Sequence, residues 1–96
     1  MPAPIPADER LRRARAHLAA ARAILAGIPA EGRERTYVLL RARKHLIAAR
    51  PLVLRVVHGR RTGRLVVTDA QAREAEALLR EIDAAWPGAD YGRKRG

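Results

Sequence analysis

The chain has 96 residues, 20 Lys and Arg against 10 Asp and Glu, and no cysteine. That bounds it to one domain with a thin core, and excludes both a disulfide framework and a thiolate metal site. MPAPIPADER lacks the basic and apolar regions of a signal peptide, and no apolar run nears the roughly 20 residues of a membrane span, so a cytoplasmic protein without membrane contact is expected.

Leu, Ile and Val number 22, just enough for a folded chain, and the 20 alanines favour helices packed closely through small side chains. Residues 1–7 read as a proline-rich tail, 8–87 as a single small domain and 88–96 as a basic tail. The first helix begins near Asp8, whose carboxylate with that of Glu9 suits the positive helix end, and stops at Gly27 before Pro29. Leu11, Ala14, Leu18, Ala21, Leu25 and Ile28 recur at alternating spacings of three and four, the seam of one helix against another. A second helix from about Glu31 to Arg50 repeats the pattern in Leu39, Ala42, Leu46 and Ala49 and ends at Pro51, which predicts an antiparallel helical hairpin. Leu40 and Ile47 form a further stripe about 100° around the same helix. With so little core available, they are expected to form a homodimer interface.

Five of the six valines fall between residues 53 and 67, on either side of HGRRTGR. Beta-branched runs flanking a glycine-bounded loop predict a β-hairpin with Gly59 and Gly63 at positive backbone angles and Arg60, Arg61 and Arg64 at its tip. An alternative reading makes Pro51 the first residue of a short third helix capped by Gly59. A last helix opens on a capping box of Thr68 and Gln71, lines Ala75, Leu78, Leu79, Ile82 and Trp86 along one face, and stops at Pro87-Gly88. The expected class is therefore α+β, mostly helical, in the order α-α-β-β-α.

Catalysis has little to work with. There is no Ser, Cys or Asn, and His17, His45 and His58 stand apart in sequence with no carboxylate three or four residues away. A metal-free nuclease would draw on Tyr37, Lys44, His45 and His58, which nothing in their spacing brings together. No enzyme activity, no cofactor and no metal site is expected.

The charge is uneven: residues 1–67 carry net +11, residues 68–90 net −4, and residues 91–96 a further +3. Arg12, Arg15 and Arg22 share one flank of the first helix, while Arg33, Arg41 and Lys44 gather around Tyr37 on the second. With Arg60, Arg61 and Arg64 and the tail residues Arg93, Lys94 and Arg95, they invite a polyanion. Only three aromatic residues and no Asn are available, so neither base stacking nor adenine readout is expected to carry affinity. The expected function is a nucleic-acid-binding accessory protein gripping duplex or structured nucleic acid through its phosphates, DNA rather than RNA, with the hairpin tip as probe. The alternative is a protein-interaction module, such as a phage-type structural or inhibitor protein or an assembly adaptor, that docks an acidic protein surface. The element order and the tip RRTGR resemble in outline the histone-like HU proteins. The arms here are far shorter and their tip lacks the DNA-wedging proline, so no family is assigned.

Overall fold

A computed structural model describes residues 5–86, and these form three helices: α1 (Ala7–Ala26), α2 (Arg33–Thr62) and α3 (Asp69–Ala85). Among the described residues there is no strand. The architecture is all-helical, and the expected α+β class with its β-hairpin is corrected accordingly. The likeness to the histone-like HU proteins goes with the hairpin that carried it.

The correction concerns α2, which runs straight through both predicted boundaries. At Pro51 the helix loses one amide donor, the partner of the Ile47 carbonyl, but both residues sit on the outer face, where water can take over. Beyond it, Val53 and Val56 are fully buried and extend the stripe Ala42, Leu46, Ala49 at alternating spacings of four and three. Burial on a helical period outweighs the strand preference of valine, which reflects packing more than backbone. Gly59 lies inside the helix at an ordinary negative φ and neither caps a short helix nor turns a hairpin. Gly63 does adopt a positive φ, 75°, as the left-handed residue that terminates α2, its amide donating to the Arg60 carbonyl at 3.3 Å.

Thirty residues at about 1.5 Å each make α2 about 45 Å long, close to the 46 Å longest dimension of the molecule. It is the spine on which the other two helices rest. The antiparallel pair α1 and α2 forms the principal interface, turned by residues 27–32, where Gly32 has φ 95° and the Arg35 guanidinium donates to the Pro29 carbonyl at 3.0 Å. Ala14, Ala21, Ala42 and Ala49 are all at 0% exposure, so the helices approach through small side chains, with Leu11, Leu18 and Leu46 filling the gaps.

The last helix starts at the capping box the sequence contains. The Gln71 amide donates to the Thr68 hydroxyl at 3.1 Å, and the Thr68 amide donates to the Gln71 side chain at 2.9 Å. The Gln71 side-chain nitrogen also donates to Asp8, tying the start of α3 to the start of α1. Ala75, Leu78 and Ile82 are buried, whereas Leu79 and Trp86 are only partly so. Trp86 therefore stands at the edge of the core, at the end of α3. No helix among the described residues is long and apolar enough to cross a membrane.

Candidate nucleic-acid interface

Helix α3 is the acidic element, and four of its five carboxylates pair with arginines inside the molecule. Glu74 pairs with Arg15, Glu81 with Arg22 at 3.6 Å, Asp83 with Arg50 at 3.2 Å, and Asp69 with Arg60. The arginines it meets lie on the flanks of α1 and α2 that face it. Arg12, on the outside of α1, is paired within its own helix: with Arg13 at 3.0 Å it holds Glu9, and the hydrogen bonds from Arg12 and then Arg13 draw the Glu9 carboxyl below its ordinary value. Four of the expected contact residues, Arg12, Arg15, Arg22 and Arg60, thus already have counterions.

The opposite side of the helical hairpin is different. Arg10, Arg13 and His17 recur at spacings of three and four along the flank of α1 turned away from Arg15 and Arg22. Tyr37, Arg41, Lys44 and Arg55 occupy the corresponding flank of α2, all exposed. No ion pair engages Arg10, Arg41, Lys44 or Arg55 among the described residues. The Arg10 side chain instead donates to the Ile5 carbonyl at 3.0 Å, and its pKa is pushed down by partial burial and then by the nearby charges of Arg55 and Arg13. Like charges brought this close along one seam repel each other, and an anion relieves that repulsion.

Near its middle the seam opens into a cleft of about 430 Å³ lined by His17, Tyr37, Arg41, Lys44 and His45. The two imidazoles meet across the helix interface, Nδ1 to Nδ1 at 3.1 Å, with ring centroids 5.3 Å apart and planes inclined at 41°. One ring must donate and the other accept, which fixes both rings relative to each other. Tyr37 is 65% exposed, so its ring and hydroxyl are presented to solvent at the cleft mouth. No carboxylate among the described residues lines this cleft. Its donors suit an oxyanion such as phosphate.

The three residues expected at a hairpin tip are dispersed. Arg60 is in the last turn of α2 against Asp69, Arg61 lines a shallow depression with Val56, Ala72 and Glu76, and Arg64 lies exposed just past the Gly63 cap. Arg33 is the first residue of α2, beside Glu34 and Tyr37 at a depression near the α1–α2 turn. Arg93, Lys94 and Arg95 lie outside the described residues. Leu40 and Ile47, 50% and 57% exposed, share the outer face of α2. Tyr37, Lys44 and His45 do converge, although His58 stands thirteen residues further along α2, about 20 Å away. Among the described residues no three His, Cys, Asp or Glu side chains group to hold a metal ion.

Sequence reasoning missed His17, Arg10 and Arg55 as members of the site. A signal was present, since His17 and His45 each precede a core leucine and stand fourteen residues from Glu31, equidistant from the turn of the hairpin. Comparison with family models, with curated proteins and with solved structures finds no match to this chain.

Proposed function

We propose that this chain is a small basic nucleic-acid-binding accessory protein that grips duplex nucleic acid through its phosphates, along the α1–α2 seam turned away from α3. The observation that carries this reading is the segregation of charge. On one side of the hairpin the carboxylates of α3 neutralise Arg15, Arg22, Arg50 and Arg60, while on the other Arg10, Arg41, Lys44 and Arg55 have no counterion among the described residues. From Arg41 to Arg55 the cationic row runs about 21 Å along α2, a length over which duplex DNA presents about 12 phosphate charges. Arginine and lysine supply backbone contacts with little base information, so sequence preference is modest.

Titration of a labelled random-sequence DNA duplex at several salt concentrations tests this. With four to five cations on phosphates, log affinity falls with log salt at a slope of about −4. The double variant Arg41→Ala, Lys44→Ala loses most of the affinity with its melting temperature unchanged. The already paired Arg15→Ala, Arg22→Ala variant loses much less. Binding that is insensitive to salt, or equal loss from the two double variants, overturns the assignment.

A further inference from the structure

Next to the cationic seam, the outer face of α2 carries an apolar stripe that nothing in the described fold covers. Leu40, Ile47 and Leu54 stand seven residues apart, the spacing that keeps side chains in line along a helix–helix seam. Leu40 and Ile47 are more than half exposed between them on average, and Leu54 is partly buried. The indole of Trp86, at the end of α3, forms a wall beside them. Two depressions, of about 550 and 220 Å³, share Ile47 and Trp86 and so make one continuous trough. Arg41 and Lys44 run along one edge of that trough and Arg43 and Arg50 along the other, where Asp83 holds Arg50, and no carboxylate among the described residues lines it.

We propose that this trough binds an amphipathic helix of a partner protein whose apolar stripe is flanked by Asp and Glu. The seven-residue period fits a helix better than an extended strand, whose side chains repeat every two residues. The trough spans about 21 Å from Leu40 to Leu54, the length of four helical turns. The sign of the rim selects the occupant. A second copy packed antiparallel about Ile47 sets the edge carrying Arg41 and Lys44 beside the same edge of the other protomer, so cation faces cation. The chain beyond Trp86 is basic as well, with Arg93, Lys94 and Arg95. An acidic helix satisfies both the stripe and the rim.

The test uses Trp86, the only tryptophan of the chain, as reporter. Two tryptophan-free 18-residue helical peptides are titrated into the full chain, with the same leucine stripe at three- and four-residue spacing. One carries Glu on both flanks and the other Lys. The expected result is a blue shift of Trp86 emission with the Glu peptide, saturating in the micromolar range, and binding of the Lys peptide at least tenfold weaker. The variant Leu40→Ser, Ile47→Ser loses the response. Because both residues are exposed, it melts as the parent does, and it binds duplex DNA as the parent does, which separates this proposal from the nucleic-acid reading. No shift with the Glu peptide, or equal binding of the two peptides, overturns the proposal. So does a parent chain that sediments as a dimer at tens of micromolar while the double variant is monomeric, because the trough is then occupied by a second copy. A red shift of the peptide-free emission on truncation after Trp86 overturns it too, since the tail is then the occupant.

Discussion

A β-carbon placed on Gly59 would stand 2.5 Å from the β-carbon of Leu65, so the chain leaving α2 folds back directly onto the helix backbone. The Leu65 amide donates to the Gly59 carbonyl at 3.1 Å, which locks that return. Gly59 is therefore a packing residue, and its lack of a side chain positions the whole link from α2 to α3.

Gly59→Ala is expected to destabilise the fold even though alanine is the better helix former by about 1 kcal/mol. Forcing a methyl group against Leu65 costs about 1 to 3 kcal/mol, and the net loss lowers the melting temperature by several degrees. Gly27→Ala is the control. Gly27 has φ −102° and nothing within 4 Å of an added β-carbon, so alanine there leaves stability unchanged or raises it by about 0.4 to 1 kcal/mol.

Pro51→Ala should stabilise the chain. It restores one amide donor in the middle of α2 and removes a ring from a helix interior, where proline costs up to about 3 kcal/mol, and the side chain is exposed, so no core packing is lost. Chemical denaturation should show a raised midpoint. An unchanged or lowered midpoint shows instead that the restriction proline places on the unfolded chain offsets the restored donor.

Removing acid from α3 should separate stability from nucleic-acid binding. The pairs of Glu74 with Arg15 and Glu81 with Arg22 are partly exposed and worth about 1 kcal/mol or less each. The variant Glu74→Gln, Glu81→Gln therefore melts only slightly lower, and it binds duplex DNA slightly more tightly through the reduced long-range repulsion, with the salt slope unchanged because the arginines it frees lie on the flank facing α3, away from the seam. Anisotropy titrations at two salt concentrations measure both effects.

Glu9 provides a pH signature. Its carboxyl is held below the usual 4.5 by Arg12 and then Arg13. A depressed carboxylate pKa contributes stability that is fully present above the unfolded-state value and is lost as the pH falls through the lower, folded-state value. Carboxyl titration by nuclear magnetic resonance should find Glu9 below the usual range in the parent and moved back toward it in Arg12→Ala. Glu9→Gln should flatten the acid limb of the stability profile below about pH 4.5.

Much of the helical framework is legible in the residues themselves. The three- and four-residue spacing of Leu11, Ala14, Leu18 and Ala21, the stop at Gly27, and the box of Thr68 and Gln71 are local signals whose partners lie within a turn or two. The valines of 53–67 misled because strand preference and burial are confounded in short apolar runs. Read as a continuation of Ala42, Leu46 and Ala49, Val53 and Val56 keep the helical period across Pro51.

Composition and chain order determine by themselves that this is a small, strongly basic protein with two basic helices followed by an acidic one, because charge and periodicity are properties of the chain alone. Which cations remain available is decided only by the fold. Arg15 and Arg41 look alike in sequence, but α3 packs against one flank of the hairpin, setting Glu74 on Arg15 while leaving Arg41 beside Lys44 and the histidine pair. An ion pair needs its partners within about 4 Å, and residues 15 and 74 come that close only through tertiary packing.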